Sequence, residues 1–479
     1  MRRRIFSTDK KSSSFLIIGA LIPSSGLFVV NSLFASSANN SELLVLYFQS
    51  VIAVVFGAVF FAPAWGRMPL KTEGELIPYR FIGKGTVSLS KFRGLYLGLL
   101  ILPLAKAVSI QPLSEYLFSD SSSQHNFTLL TLALLVLNIF FNTLYNRIRI
   151  DALIGYSTFL VAIFYLVIQL ASGSSFSSHP ENHLATWAND LNLKTVLFSI
   201  GLLWWFATIV DLPDMRGQLL LTLKNGSESR RNVIFSFIIS YFIQGILLTF
   251  PLIYHSTTDW SWINSLFIAF IIMNAFQAMF SANHWGASLI YAGVIRPMLS
   301  NDNNEKAIGM GSMLAGLVIT SLWLVAGKTT SELFAAIFLF TAGVGPVFIA
   351  RWFWSKVNAQ TVLSAMIGAP FIWILWLLLK EVGLSPFLVQ SLGISETFVD
   401  ILIPGILNTF VWLTTLALTQ NKEQELHAKQ WIKEVGVLNE FKSGKNWLLF
   451  IGLTLLSGLI LFGPPRAHFV IFRRLTENI

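Results

Sequence analysis

Residues 275–290 read AFQAMFSANHWGASLI and lie inside a long apolar segment. Four of these residues carry polar side chains: Gln277, Ser281, Asn283 and His284. A polar group in the hydrocarbon core of a membrane costs free energy unless another group satisfies it. The stretch therefore predicts a membrane helix whose polar side chains face the interior of the protein rather than lipid.

The composition of the whole chain is typical of the same class. The chain has 479 residues, of which 54% are hydrophobic and 12% are charged. The charged fraction is about half of that expected for a soluble protein. Several uncharged runs are about twenty residues long, which is the length that crosses a bilayer as a helix. We therefore expect an all-α polytopic membrane protein that is embedded in a lipid bilayer.

Motifs of enzymes and metal centres are missing from the sequence. It contains no phosphate-binding loop, no nucleophile elbow and no histidine pair with metal-ligand spacing. Cysteine is absent, which excludes disulfide bonds and cysteine metal sites. We expect neither an enzymatic activity nor a cofactor.

Lysine and arginine residues are concentrated in alternate loops. The N-terminal segment 1–14 has five, and three loops have six, four and five respectively: 66–93, 212–232 and 420–445. Three loops that lie between these contain no lysine or arginine: 37–42, 117–126 and 256–261. Because basic residues accumulate on the cytoplasmic side, this pattern predicts a cytoplasmic N-terminus. The net charge of +9 follows from the same bias, and no nucleic-acid partner is expected.

The sequence predicts about thirteen apolar spans. Ten of them form two blocks of five, and about three more follow. The blocks cover 15–171 and 196–352, additional helices occupy 359–463, and 464–479 forms a tail. A block with an odd number of spans leaves its successor inverted in the membrane. Inverted repeats are common in transporters, where the binding site lies at the midplane beside interrupted helices.

An interruption of this kind occurs in the first span, FLIIGALIPSSGLFVV, at residues 15–30. The sequence Pro23-Ser24-Ser25-Gly26 would leave backbone groups unpaired in mid-membrane, which is tolerated where they line a cavity. Ser24 and Ser25 are therefore candidates for the wall of a substrate cavity.

The opening stretch supplies the second wall. Polar residues recur along it at intervals of three and four, so that they share one helical face: Asn274, Gln277, Ser281, His284 and Ser288. We interpret Gln277, Ser281 and His284 as cavity residues that contact a solute. The alternative is hydrogen bonding between packed helices. His284 alone also has two readings, a proton site or a neutral packed histidine.

Lys106 is the only lysine well inside an apolar span. A buried ammonium group is costly and needs a partner or a water-filled pocket, so Lys106 is a further cavity candidate that brings a fixed charge. The alternative is that its side chain extends to a membrane interface near Ser109 to Glu115.

Four stretches resemble the sodium/solute symporter family, particularly its Bacteroidetes members. FTAGVGPVFIARWFWSKVNAQTVLSAM at 340–366 is the most specific match. APAWGRMPLKTEGELIPYRFIGKG at 62–85, FSANHWGASLI at 280–290 and the pair Trp204-Trp205 followed by Met215-Arg216 add weaker ones. The family has one more helix before the first repeat, so we expect a divergent member that lacks this leading helix.

The resemblance implies a leucine-transporter-like fold of five plus five inverted helices with about three extra C-terminal helices, in a bacterial inner membrane. It also implies a sodium site between the first and eighth core helices. Carbonyl oxygens near Ile18 and Leu21 would form one side, and Gln277 and Ala278 stand where the family has two hydroxyl groups. Because the Ala278 side chain has no oxygen, we expect a degenerate sodium site.

Two functions follow from these expectations. The first is secondary transport of a small organic solute. The alternative is a transport-inactive, symporter-like subunit that serves as a structural or sensory component of a larger membrane complex, and such a subunit would co-purify with unrelated membrane proteins.

Overall fold

The structure of the protein is a computed structural model in which the following residues are described: 13–22, 52–117, 121–140, 144–171, 215–223, 225–254, 262–298, 305–326, 333, 336–337, 340–392 and 396–462. All regular secondary structure in these residues is helical. Ser24 and Ser25 lie outside the described residues, as do Trp204 and Trp205.

The helices of the bundle are numbered here in chain order. They are α1 (Ser14–Leu21), α2 (Ile52–Arg67), α3 (Leu76–Arg80), α4 (Thr86–Leu95, continued through Tyr96–Ile101 and Leu102–Leu117), α5 (Ser121–Phe140), α6 (Leu144–Ala171), α7 (Met215–Leu220), α8 (Gly226–Tyr254) and α9 (Trp262–Ile290). The remainder are α10 (Glu305–Val325), α11 (Gly345–Ala350), α12 (Ala359–Glu381), α13 (Leu384–Leu392), α14 (Glu396–Leu418), α15 (Lys422–Val435), α16 (Val437–Lys442) and α17 (Gly444–Phe462).

Several helices have the length and apolar character of membrane spans. Within the described residues, Thr86–Val108, Ala307–Val325 and Ala359–Glu381 meet both criteria. Leu402–Leu418 and Lys422–Val435 form a further candidate that bends by 113°. Large apolar side chains on the outer faces are exposed, such as Phe371 and Leu378 on α12, as expected where lipid rather than water surrounds the protein. The chain is a multi-pass membrane protein, and its number of spans stays a prediction.

Close packing between α1 and α6 depends on two glycines. A Cβ atom added at Gly155 would lie 2.2 Å from the carbonyl oxygen of Gly19, and one added at Gly19 would lie 2.8 Å from the Cα atom of Ala152. Tyr156 extends the contact by donating a hydrogen bond of 2.7 Å to the carbonyl group of Phe15. The end of α1 is held from α8, where the Ser240 hydroxyl group donates to the carbonyl group of Ile22 over 2.8 Å.

The helix that begins at Gly345 follows a non-helical turn at 342–344. A side-chain amide stabilises this turn. Gly343 has a φ of +71°, a conformation that favours glycine because it lacks a Cβ atom. The Asn408 side chain on α14 donates hydrogen bonds of 2.7 Å and 2.9 Å to the carbonyl groups of Ala342 and Ala365. Helices α12 and α14 therefore hold this turn in position.

Charged residues join the short helices at one end of the bundle. Glu440 on α16 pairs with both Arg67 and Arg230, and the Asn446 amide donates to it over 2.8 Å. Burial by itself raises the pKa of the Glu440 carboxyl group. The hydrogen bond from Arg67 and the charge of Arg230 outweigh this effect, so the pKa lies below its usual value. Glu440 is therefore ionised at neutral pH and connects α2, α8 and α16.

Arg80 anchors the loop between α2 and α4 at the same end. Its side chain is buried and donates to the carbonyl groups of Arg351, over 2.8 Å, and of Val357, over 3.4 Å. Burial, together with the nearby charge of Arg351, lowers the pKa of Arg80 to about 9. The guanidinium group stays protonated at neutral pH and continues to satisfy these carbonyl oxygens.

Some boundaries differ from the sequence-based expectation. Hydropathy places the starts of three spans at 94, 127 and 151 and leaves a short connection at 146–150. The helices begin earlier, at Thr86, Ser121 and Leu144, so that this connection is helical. Polar residues in the first turns of a helix lower its local hydropathy, so a hydropathy pattern places the start of the helix too late. The all-helical class is confirmed for the described residues, whereas the limits of the two five-helix blocks stay predictions.

Candidate functional site

The polar residues of α9 are buried in the bundle. Gln277, His284 and Ser288 have exposed fractions of 2% or less, and Ser281 has 6%. Ser288 donates a hydrogen bond of 2.7 Å to the carbonyl group of Trp285 in its own helix. The side chain of Ala278 is outside the described part of the chain. The four described side chains of the predicted polar stripe therefore face protein, whereas the side chain of Asn274 lies outside the described part of the chain.

A buried ion pair on α6 meets the polar face of α9. The Nε atom of Arg147 lies 2.7 Å from a carboxylate oxygen of Asp151, one helical turn later. Both side chains are 1% exposed. Residues four apart in a helix lie on the same face, so both reach α9 together.

Arg147 and Asp151 are joined to α9 by three further contacts. Arg147 Nη2 donates to the carbonyl oxygen of Gln277 over 3.0 Å and to the Ser281 hydroxyl oxygen over 3.1 Å. The Ser281 hydroxyl group donates to Asp151 over 3.3 Å. These four groups are called the Arg147 network below. The Arg147 guanidinium group also lies 5.3 Å from the centre of the Phe280 ring, which adds a favourable cation–π contact.

Gln277 has one group in the network and one outside it. Its carbonyl oxygen accepts from Arg147, but neither the Nε2 nor the Oε1 atom of its side-chain amide has a hydrogen-bond partner among the described residues. Buried amide groups are almost always hydrogen-bonded, and each exception calls for a water molecule or a ligand. The amide of Gln277 therefore stays a candidate for contact with a small polar molecule or with water.

Lys106 lies inside the bundle rather than at a membrane interface. Its side chain is 1% exposed, and its Nζ atom donates a hydrogen bond of 2.8 Å to Oδ1 of Asn283 on α9. Gly316 on α10 makes room for both groups. A Cβ atom there would lie 3.2 Å from Asn283 Oδ1 and 3.5 Å from Lys106 Nζ. Lys106 thus connects α4, α9 and α10.

Lys106 and Gln277 do not converge on one site. Asn283 follows Gln277 by six residues, which is about 240° of helical rotation, so the two side chains leave α9 in different directions. The network of Arg147 lies between α6 and α9, whereas Lys106 contacts the face of α9 toward α4 and α10. The candidate cavity residues therefore divide into two groups.

We expect Lys106→Met to lower the free energy of unfolding by about 1–3 kcal/mol, because the buried Asn283 amide oxygen loses its hydrogen-bond donor. Thermal unfolding in detergent measures the change. Lys84 is exposed, so Lys84→Met is the matched control. A Lys106→Met protein that unfolds at the temperature of the control would contradict the role of Lys106 in joining the three helices.

The positions implied for sodium can be compared with the structure only in part. The carbonyl oxygen of Ile18 accepts a hydrogen bond of 3.2 Å from the backbone N–H of Ile22, and Leu21 is buried. Gln277 directs its carbonyl oxygen at Arg147. Among the described residues, no group of three or more histidine, aspartate or glutamate side chains is arranged to hold a metal ion. The degeneracy of the sodium site stays a prediction.

A second buried ion pair lies near the far end of the polar face. Glu73, in the loop after α2, pairs with Arg93 on α4, and both are almost fully buried. The indole N–H of Trp285 on α9 donates to the Glu73 carboxylate over 3.3 Å. The backbone N–H of Glu73 donates to the side-chain oxygen of Gln218 on α7 over 2.8 Å. Glu73 thereby joins this loop to α4, α7 and α9.

Arg147 and the Glu73–Arg93 pair were not predicted as site residues. Arg147 falls at the edge of an apolar span, where an arginine is expected to reach the membrane surface. The available signal was the spacing of four residues between Arg147 and Asp151, which places opposite charges on one helical face. No pattern of comparable specificity marks Glu73 and Arg93 as partners.

Comparisons with known proteins give a structural likeness alone. No protein-family model matches the chain, and no curated protein does. A Na⁺-coupled sialic acid symporter in a substrate-bound, outward-open state is similar, with a TM-score of 0.59 and 13% identity over 87% of this chain and 93% of that one. This likeness shows the leucine-transporter-like fold.

Two further solved structures are similar at a lower level. Mhp1, a nucleobase-cation-symport-1 family transporter in a closed conformation with bromovinylhydantoin bound, has a TM-score of 0.43 and 14% identity over 90% of this chain and 98% of that one. A manganese transporter from Eremococcus coleocola in complex with an aromatic bis-isothiourea substituted compound has a TM-score of 0.44 and 12% identity over 95% and 98%. Membership of the sodium/solute symporter family stays a prediction.

Proposed function

We propose that the protein is a secondary transporter of a small organic solute that works by alternating access in a bacterial inner membrane. The observation that carries this proposal is the Gln277 amide, which is buried and has no hydrogen-bond partner in the part of the chain that the structure describes. A group of this kind is stabilised when a solute or water supplies the missing hydrogen bonds. The likeness to a solved symporter supports the choice of a solute.

The chemistry of Gln277 indicates the kind of solute. An amide group offers both a donor and an acceptor, so it matches a solute that carries hydroxyl, amide or carbonyl groups. Ala152, next to Asp151, packs against Gly19 of α1. The Arg147 network therefore lies close to the helix that precedes Ser24 and Ser25, which we propose as further cavity residues.

We also propose that transport does not depend on a sodium ion bound by Ile18, Leu21, Gln277 and Ala278. Sodium is a hard cation that requires several oxygen ligands at close range, and Ala278 has no side-chain oxygen to offer. Gln277 can replace only one of the two hydroxyl groups that the family resemblance implies at this place.

Uptake into proteoliposomes tests the proposed transport. Sialic acid is the first probe, because a similar structure carries it, and a set of small polyols and amides follows. Binding to the purified protein is measured in parallel as a thermal shift. We expect saturable uptake of at least one probe, and a loss of apparent affinity of about tenfold or more in Gln277→Leu, which corresponds to one hydrogen bond.

Gln420→Leu is the control for this experiment because Gln420 is exposed. A folded protein that takes up none of the probes, and that binds none of them, would contradict the proposal. Stable co-purification with other membrane proteins under mild detergent would then favour the alternative function as a structural or sensory subunit.

A further inference from the structure

The groups around Arg147 have the chemistry of a cation site. One carboxylate, one hydroxyl group and one backbone carbonyl group direct oxygen atoms at its guanidinium nitrogens, at 2.7, 3.1 and 3.0 Å. Carboxylate and carbonyl oxygens are ligands that hard metal cations prefer in proteins, and a hydroxyl oxygen can complete such a set. They come from two helices, α6 and α9, which pack against each other.

We propose that the Arg147 guanidinium group is a built-in cation that occupies the place of a monovalent metal ion between α6 and α9. Asp151, Ser281 and the carbonyl group of Gln277 are the ligands of this place. The inference rests on the proposed function, for it assigns the cation that such a transporter would otherwise take from solution. Its direct consequence is that removal of the Arg147 side chain creates a sodium site.

The charge of the described ligands matches a monovalent ion. Asp151 is the one carboxylate that contacts Arg147 among the described residues, while Ser281 and Gln277 contribute neutral oxygens. A single negative charge is balanced by a guanidinium group or by Na⁺. A divalent cation would bring an excess positive charge into a region of low dielectric constant, which is costly.

An ion pair with a purely structural role would have a different property. Its replacement would change stability equally in every salt, because only the packing and the buried charge would be altered. A cation site predicts instead a selective response to sodium over larger cations, and the response requires Asp151. Cation selectivity therefore separates the two interpretations.

The experiment measures the thermal unfolding midpoint of the full-length protein in detergent, in sodium, potassium and choline chloride at equal ionic strength. For the natural sequence we expect the same midpoint in all three salts. For Arg147→Ala we expect a midpoint that is roughly 2 °C or more higher in sodium, and that rises with sodium concentration to saturation, because an ion that binds only the folded state stabilises it.

Two variants serve as controls. Arg147→Lys keeps a positive charge in the site, so we expect no sodium effect. Arg147→Ala combined with Asp151→Asn removes the carboxylate, and we expect the sodium effect to disappear. Arg147→Asn supplies an additional oxygen ligand and is the second test should Arg147→Ala not fold in potassium.

Equal midpoints of Arg147→Ala in sodium and choline would overturn the inference. The same holds if neither Arg147→Ala nor Arg147→Asn yields folded protein in sodium, since a bound ion should then have replaced the missing charge. A sodium effect on the natural sequence that persists in Asp151→Asn would place the cation elsewhere. None of these outcomes depends on solute uptake, so failure of the inference and failure of the proposed function are distinguishable.

Discussion

Asp151→Asn is expected to lower the free energy of unfolding by about 3–5 kcal/mol, because it leaves the buried Arg147 guanidinium group without its counter-charge. Asp151 and Arg147 are each 1% exposed, so bulk solvent does not compensate for the lost carboxylate. The asparagine amide has one oxygen, so either Arg147 or the Ser281 hydroxyl group would lose its acceptor. This is the largest effect that we expect from a single conservative substitution in the protein.

The measurement is thermal or denaturant unfolding in detergent, followed by helix content. Replacement of both partners by apolar residues of similar size, as Arg147→Met with Asp151→Leu, should restore much of the stability, since it removes both buried charges. Glu425→Gln is the control for the loss of an exposed ion pair, that of Glu425 with Lys429, and little change is expected there. An Asp151→Asn protein as stable as this control would show that Arg147 is not held as a buried ion.

Glu73→Gln should have the second largest effect, also about 3–5 kcal/mol, for the same reason. Arg93 is 2% exposed and would keep its charge without a carboxylate partner. The carboxylate accepts from Arg93 with both oxygens and from Trp285 with one of them, whereas the amide of the variant has a single acceptor oxygen and turns an NH₂ donor toward these donors. Because Glu73 connects the loop after α2 to α4 and α9, we expect this loop to detach before the rest of the bundle unfolds.

Local detachment is measured with single cysteines, which can be introduced without interference because the natural chain has none. A cysteine at the buried residue Thr72 should react faster with a thiol reagent in Glu73→Gln than in the natural background. Glu75 is two residues away and forms an ion pair with Arg296 that is partly exposed, so Glu75→Gln is the matched control. We expect it to cost less than about 1 kcal/mol. Equal stability of the two variants would contradict the structural role of Glu73.

Hydropathy and helical periodicity predicted much of the fold correctly. Gln277, Ser281 and His284 are on a buried face of one helix, and Lys106 lies inside the bundle. These results follow from the sequence because burial at membrane depth is a property of each position, set by the transfer free energy of its side chain. The partners of these side chains were not predicted. Lys106 bonds to Asn283, which is outside the polar stripe, and Gln277 meets a residue that was assigned to a short connection.

The sequence by itself determined that this chain crosses a membrane as helices and that α9 has a polar, protein-facing side. The tertiary structure decided which charges meet. Arg147 and Ser281 are 134 residues apart, and Glu73 and Trp285 are 212 apart. Hydropathy indicates how deep in the membrane a residue lies, and periodicity indicates which face of its helix it occupies. Neither pattern predicts how one helix is rotated relative to another. That rotation is set by close packing, such as the contact of Gly19 with Gly155, which places Asp151 and Arg147 against α9 and so produces the buried site.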